Sequence, residues 1–291
     1  MLPSAAILVL LVFVPVGMLV YFSLSSTGTP FPSLENYART IEESLYPRLF
    51  ARSLWLAFQV TIICIVIAWP AGWALAKLVP KQLTILLLAL LLVPYLTSYL
   101  LLIYAMLVLL SANGPLMSML NAVHLASSES SILYTPWATL VMLVYENLPI
   151  SVLVLYAAAE RIDDDLIDAA RSLGAAGWQV TRRVICPLSL PSLFACFVLV
   201  FIPVAGSFVE PQILGGPNGL LIGNVINDQI TQVDNAPFGA TLSLLLLLFV
   251  LTIVLLLRVL GNAIGRIRAL VTEINAVTLG AESSGLQRHG S

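Results

Sequence analysis

The segment Asp168-Ala169-Ala170-Arg171-Ser172-Leu173-Gly174, continued at residues 184–187 by Val-Ile-Cys-Pro, lies in a polar insert between two long apolar runs. The insert covers about residues 158–187. Its alanine, leucine and isoleucine residues favour helix, so it is predicted to fold rather than to serve as a plain linker.

The insert is predicted to form two short helices that meet at a glycine. The three aspartates at 163–165 supply N-cap oxygens and negative charge where helix N–H groups are unpaired. Gly174 fits the C′ position, where a positive φ costs glycine little. The second helix is expected over about residues 177–185, with Pro187 ending it.

The composition places this insert in a membrane protein. The 291 residues are 59% hydrophobic and 10% charged, with a mean hydropathy of +1.00. A net charge of -2 without a basic stripe argues against a nucleic-acid partner, because nothing would neutralise phosphates. The expected surroundings are therefore a lipid bilayer.

Six apolar runs are long enough to cross a hydrocarbon core, which takes about 20 helical residues. They lie at residues 5–24, 54–78, 83–110, 136–157, 188–209 and 237–259. The predicted fold is an all-α membrane protein with six transmembrane helices over residues 1–262. Residues 263–291 are predicted to form a polar C-terminal tail.

The distribution of Lys and Arg predicts the orientation, because positively charged loops stay on the cytoplasmic side. These residues occur after the second, fourth and sixth runs, whereas segments 111–135 and 210–236 contain none and the loop after the first run holds only Arg39, Arg48 and Arg52. The insert and both termini are therefore predicted to be cytoplasmic.

The insert resembles the EAA motif of the permease subunits of binding-protein-dependent ABC importers. That motif has Glu-Ala-Ala, a glycine four residues after the second alanine, and then an aliphatic residue and Leu-Pro. The same spacing holds Asp168-Ala169-Ala170, Gly174, Val184 and Cys186-Pro187 here. Aspartate replaces the usual glutamate, and cysteine replaces the usual leucine.

The resemblance implies a type I ABC importer permease fold, with the insert as a cytoplasmic coupling loop. It implies that five residues couple the chain to an ATP-binding subunit: Asp168, Ala169, Ala170, Arg171 and Gly174. The implied partners are two ATP-binding subunits, a second homologous permease and a periplasmic or extracellular substrate-binding protein. The implied location is the bacterial inner membrane.

Other motifs resemble the spermidine/putrescine branch of these permeases, which implies a polyamine cargo. They are Val93-Pro94-Tyr95-Leu96-Thr97-Ser98-Tyr99, Leu214-Gly215-Gly216-Pro217 and Leu221-Ile222-Gly223-Asn224. Members of that branch commonly carry Arg two residues before the Tyr that matches Tyr104, where this chain has Leu102. Iron, phosphonate, opine and sulfate remain alternative cargoes.

No nucleotide site is expected in this chain, because neither Lys77 nor Lys81 follows the glycine pattern of a P-loop. No catalytic or metal-ligating group is predicted either. The chain is expected to be a transport subunit rather than an enzyme, with ATP and Mg²⁺ bound by the partner ATPase.

Two acidic residues are candidates for the substrate path. Glu146 lies midway along the fourth run, three residues before Pro149, and Glu210 follows the fifth run. An acid in hydrocarbon is costly and normally faces a cavity or a partner. The alternatives are an interhelical hydrogen bond for Glu146 and simple solvation for Glu210.

Three aromatic residues join the predicted path, because a ring face beside a carboxylate holds ammonium groups. They are Tyr104, Tyr145 and Phe208. Taken alone, each is better explained as a lipid-facing or core residue.

Two other functional classes remain open. An ATP-independent secondary carrier would explain the spans and Glu146 but leaves the insert without a role. A membrane scaffold would not need an acid inside a span.

Overall fold

The computed structural model describes residues 2–26, 31–122, 132–259 and 261, and the predicted tail at 263–291 lies outside them. Within the described residues the regular structure is helical, with no strand. The helices are α1 Leu2–Ser23, α2 Glu35–Glu42, α3 Leu45–Lys77, α4 Lys81–Leu96, α5 Tyr99–Leu110, α6 Pro115–Ala122, α7 Pro136–Glu160, α8 Asp164–Ser172, α9 Gly177–Val180, α10 Cys186–Ala205, α11 Val209–Leu214, α12 Ile222–Thr231 and α13 Ala236–Val259.

Five helical segments in the described part of the chain are long and apolar enough to cross a membrane. They are Leu45–Lys77, Tyr99–Met119, Pro136–Glu160, Gly177–Ala205 and Ala236–Val259. Two shorter apolar helices, Phe13–Ser23 and Lys81–Leu96, accompany them. The all-α class is confirmed. The prediction of six transmembrane helices is not confirmed, because five described segments are long and apolar enough to cross.

The third predicted span, residues 83–110, is wrong as a continuous helix. It divides into α4 and α5 at Thr97 and Ser98, whose backbones are extended. Pro94, inside the last turn of α4, has no N–H to donate to the preceding turn. The carbonyl of Pro94 accepts hydrogen bonds from both the backbone N–H and the hydroxyl of Thr97, which close the end of α4. Hydropathy did not predict the break, because one Thr and one Ser lower the mean hydropathy of a long apolar run only slightly.

Helix α3 packs along α7, and α10 packs against both. Small residues line the α3 face of this contact, including Ala57, Cys64 and Ala68, which are fully buried. Small side chains let membrane helices approach closely and gain van der Waals contact. At Gly72 the approach is closest, because an added Cβ would lie 2.7 Å from the backbone N of Tyr156. Helices α3 and α7 therefore form a tightly packed pair.

Residues 1–247 form one compact unit and residues 248–291 a second. The first contains α1 to α12 and the start of α13, and the described part of the second, apart from residue 261, is the rest of α13. The domain boundary predicted at residue 262 lies outside the described residues and stays a prediction.

Candidate coupling wedge and buried acid pocket

Helices α8 and α9 with the turn between them form a two-helix element, here named the wedge (residues 164–180). Asp163 is the N-cap of α8, and its Oδ1 accepts a hydrogen bond from the backbone N–H of Asp165 at 3.1 Å. Asp164 and Asp165 place negative charge in the first turn, where the helix dipole favours it. The predicted start of the first helix is confirmed.

Gly174 ends α8 in the manner that the sequence predicts. Its φ is +83°, and its N–H donates to the carbonyl of Arg171 at 2.9 Å. The next N–H, of Ala175, donates back to Ala170 at 3.1 Å. These two bonds are the Schellman arrangement, which requires a residue that tolerates positive φ. The glycine thus closes the turn between the two wedge helices.

The second wedge helix does not end at Pro187, contrary to the sequence prediction. A π-helical turn at Thr181–Ile185 follows α9 directly, and α10 continues from Cys186 through Pro187. In this wider turn the N–H of Cys186 bonds the carbonyl of Thr181. A π turn changes the local register of the carbonyls, which relieves the clash that a proline ring makes in a regular helix. The wedge is therefore continuous with a transmembrane helix.

The inner face of the wedge is apolar and packs on α3. Ile167 and Val180 of the wedge are buried in a cluster with the flanking residues Ile162 and Ile185, and Trp69 and Trp73 of α3 pack against this cluster. Burying isoleucine and valine side chains contributes about 1.5–3 kcal/mol each. The wedge is thus a packed part of the helical unit.

The predicted coupling residues are mostly exposed, and two of them, Asp168 and Arg171, line a cavity that Lys77 of α3 also lines. Asp168, Ala169, Arg171 and Gly174 are exposed, whereas Ala170 is half-buried against the inner apolar cluster. Arg171 and Asp168 pair with each other at 3.4 Å and not across the wedge. Leu173 and Trp178 are 89% and 72% exposed on the same element. The wedge therefore presents apolar and charged groups outward.

The two predicted acids come together in the structure. The carboxyl group of Glu146, on α7, interacts directly with that of Glu210, on α11, and the Tyr99 phenol lies beside Glu210. The Oε2 atoms of both carboxyls are buried and have no hydrogen-bond partner among the described residues. Within the described part of the chain, neither acid is paired with Lys, Arg or His.

A cavity of about 280 Å³ opens beside Glu146. Its lining combines three tyrosines with small and apolar residues: Pro94, Tyr95, Thr97, Tyr99, Leu102, Tyr145, Glu146 and Pro149. Several of these residues come from the break between α4 and α5, so the interruption of the third span forms one wall. The cavity together with Glu210 is here named the acid pocket.

The structure does not bring all five predicted path residues into this lining. Tyr145 and Glu146 line the cavity, and Glu210 adjoins it through Glu146. Tyr104 is 58% exposed and absent from the lining. Phe208 is also absent, and its carbonyl accepts a hydrogen bond from the side chain of Asn224 at 2.8 Å. Sequence reasoning missed Tyr95 and Tyr99, which lie in a motif that it had singled out.

A family model shows what kind of protein carries these two sites. The binding-protein-dependent transport system inner membrane component matches residues 1–266. The chain belongs to this family. It is therefore a multi-pass inner membrane component of a transport system and not an enzyme.

Two relatives of this permease carry the same name. The spermidine/putrescine transport system permease protein PotB of Salmonella typhimurium strain SL1344 is 39% identical over 244 residues, covering 82% of this chain and 84% of the relative. The protein of the same name from Escherichia coli K12 is 38% identical over 244 residues, covering 82% and 88%.

A solved structure supports the fold of this permease. A chain of a bacterial alginate ABC transporter, in complex with an alginate pentasaccharide-bound periplasmic protein, superposes with a TM-score of 0.72. The match covers 88% of this chain and 90% of the other at 16% identity. At this identity the likeness extends to the permease fold alone.

The wedge also makes a contact that the sequence reasoning missed. Lys77, the last residue of α3, bonds the start of α8 and the turn before it. The two ends of this contact are more than 80 residues apart, so no local pattern marks it.

Proposed function

We propose that this permease carries a polyamine, such as spermidine or putrescine, across the inner membrane, driven by ATP hydrolysis on a separate subunit. The observation that supports a cationic cargo is the acid pocket, where two carboxyls with buried Oε2 atoms meet and no described residue supplies a basic partner. The names of the relatives point to the same class of substrate.

The chemistry of the acid pocket fits an alkyl ammonium group. A primary ammonium supplies donors for the unpartnered Oε2 atoms of Glu146 and Glu210. Tyrosine faces attract cations, and their ring edges accommodate the methylene chain between two ammonium groups. In a site with little water, such charge-assisted bonds are stronger than neutral ones. Glu146, Glu210, Tyr145, Tyr99 and Tyr95 are the residues proposed to contact the cargo.

The proposed topology has six crossings, made by α1, α3, the pair α4 and α5, α7, α10 and α13. Helix α1 has 22 residues, about 33 Å at the usual helical rise, which is enough to cross. The distribution of Lys and Arg then places both termini and the wedge in the cytoplasm. The α4–α5 break is tolerated inside the bilayer because it lines a cavity.

The proposed partners are two ATP-binding subunits, a second homologous permease and an external substrate-binding protein. ATP and Mg²⁺ belong to the ATP-binding subunits. The exposed face of the wedge, with Asp168, Ala169, Arg171, Leu173 and Trp178, is the proposed docking surface. Ala170 and Gly174 shape that surface, Ala170 by packing inward and Gly174 by closing the turn.

The proposed mechanism is alternating access. Movement of the ATP-binding subunits displaces the wedge, and the wedge is packed on α3 and continuous with α10. A rigid element transmits such a displacement, whereas a flexible loop would absorb it. The acid pocket then opens to opposite sides of the membrane in turn, and this chain makes or breaks no covalent bond.

The test is affinity purification of the solubilised complex, followed by an ATPase assay with the substrate-binding protein. Spermidine and putrescine are added separately, with sulfate as a control anion. We expect an ATPase to co-purify and its rate to rise with a loaded polyamine-binding protein. Absence of any co-purifying ATPase would overturn the coupling assignment, and stimulation by sulfate alone would overturn the polyamine assignment.

A further inference from the structure

Lys77 joins the wedge to the transmembrane helices through a single ammonium group. Its Nζ lies 2.8 Å from Oδ1 of Asp164, the first residue of α8. The same Nζ donates a hydrogen bond to the carbonyl of Ile162 at 2.7 Å, in the turn between α7 and α8. One cation at the end of α3 thus holds both the start of the wedge and the end of the preceding helix.

Burial distinguishes this contact from an ordinary surface ion pair. The Lys77 side chain is 14% exposed, although that of Asp164 is 70% exposed. In the neighbouring pair of Arg171 and Asp168, both side chains are at least 66% exposed. An exposed ion pair does little to fix the positions of its two side chains. An ammonium group that is shielded from water and bonded to two oxygen atoms is fixed in place.

Apolar packing continues the contact along α3. One turn before Lys77, Trp73 packs against the buried inner face of the wedge, and Trp69 packs one turn earlier. The wedge therefore touches α3 over its last two turns, with the ion pair at the end of that contact. A displacement of the wedge has to move this end of α3 or break these contacts.

Helix α3 in turn packs against α7, the helix that carries Glu146 of the acid pocket. At Gly72 the α3 backbone approaches α7 so closely that a Cβ would lie 2.7 Å from the Tyr156 N and 2.9 Å from the Leu155 C. Closely packed helices move together because packed interfaces do not deform continuously. Helix α7 carries Glu146, so a contiguous chain of contacts runs from the wedge to the acid pocket.

We propose that Lys77 is a positioning residue that clamps the wedge to α3, so that the wedge and the α3–α7 pair move as one body. The clamp converts displacement of the wedge into displacement of the acid pocket. It rests on the proposed function, because it assumes that an ATP-binding subunit moves the wedge.

The test compares transport with ATP hydrolysis in proteoliposomes that contain the complete complex. Lys77→Met removes the cation and keeps a side chain of similar length. We expect the ATPase to co-purify as before, because the Lys77 side chain is only 14% exposed and offers little surface to a partner. The amount of labelled spermidine imported per ATP hydrolysed should fall about five- to tenfold, at the lower end of typical coupling effects. Lys81→Met, at the exposed first residue of α4, is the matched control and should keep the wild-type ratio.

A double-mutant cycle separates the clamp from a general loss of structure. Asp164→Asn and Lys77→Met should each lower the transport ratio, and the double variant should be no worse than Lys77→Met alone, because both remove one interaction. Lys77→Arg should restore most of the ratio, since arginine keeps the charge and can reach both oxygen atoms. If the complex with Lys77→Met fails to assemble, the transport ratio of Asp164→Asn, a change at an exposed side chain, is compared with that of Lys77→Arg instead.

A wild-type ratio in Lys77→Met, or additive losses in the cycle, would overturn the clamp. These results are distinct from failure of the proposed function, in which the wild-type complex itself would bind no ATPase or import no spermidine.

Discussion

The wedge and the acid pocket of this permease are assembled in opposite ways. The wedge is one contiguous stretch whose cap at Asp163 and turn at Gly174 follow from local rules of helix termination. The acid pocket draws on α4, α5, α7 and α11, which lie far apart in the sequence. The comparison shows that a coupling element can be encoded locally, whereas a cavity inside a membrane depends on how distant helices pack.

The wedge and the acid pocket also differ in the surroundings of their charged groups. The wedge pairs exposed Asp168 with exposed Arg171, so little depends on either of these two charges. The acid pocket buries carboxyl oxygens without a partner, so each charge there should affect function strongly. Variants in the two regions should therefore fail in different assays.

The largest effect is expected from replacing both pocket acids by amides, in Glu146→Gln/Glu210→Gln. Two glutamines keep the shape and can bond each other, so folding and ATPase co-purification should be retained. Losing two charge-assisted bonds of about 1.5–3 kcal/mol each corresponds to spermidine uptake slower by roughly two to four orders of magnitude. Uptake into proteoliposomes is the measurement.

Glu160→Gln, at the exposed end of α7, is the control for the acid pair and should keep wild-type uptake. If the double amide variant imports spermidine normally, the acid pocket does not contact the cargo.

A smaller effect is expected where the two regions connect, at Gly72→Ala. The added Cβ would meet the α7 backbone at 2.7 and 2.9 Å, and overpacking of this kind costs about 1–3 kcal/mol. The midpoint of thermal unfolding in detergent should fall. Gly206→Ala is the control, because its Cβ would meet only the Pro203 carbonyl at 3.8 Å. Equal midpoints for the two variants would show that α3 and α7 are not closely locked.

The smallest effect on stability is expected in the wedge, from Gly174→Val. A left-handed backbone costs a non-glycine residue about 1–2 kcal/mol, and an added Cβ would meet no atom within 4 Å. The wedge turn should open, so that ATPase co-purification falls while most of the thermal stability remains.

Gly177→Ala is the matched wedge variant, since that glycine also has open space around it but an ordinary φ. It should bind the ATPase normally. Equal loss of ATPase binding in both glycine variants would mean that the left-handed turn is not what the partner requires.

The sequence predicted the parts of this fold that depend on near neighbours. Long apolar runs predicted the helices, and the aspartates with Gly174 predicted the two wedge helices. It failed where one local signal competes with another. Pro187 was expected to end a helix, but a π turn lets the helix continue. The weakly polar Thr97 and Ser98 divide a run that hydropathy treats as continuous.

The acid pocket was predicted in part. Glu146 and Glu210 were found because an acid inside a span is costly anywhere in the chain. The aromatic residues of the pocket were harder to predict, because every span contains several. The α4–α5 break places Tyr95 and Tyr99 in the cavity lining, which contains neither Tyr104 nor Phe208. Lys77 had no local signal, since Asp164 is distant in the sequence.

Import of labelled spermidine by the reconstituted complex, with and without ATP inside the vesicles, is the most direct test of the account. We predict import only when ATP, the ATP-binding subunit and a loaded substrate-binding protein are all present. Spermidine import driven by an ion gradient or membrane potential, without ATP or the ATP-binding subunit, would contradict the account and indicate a secondary carrier.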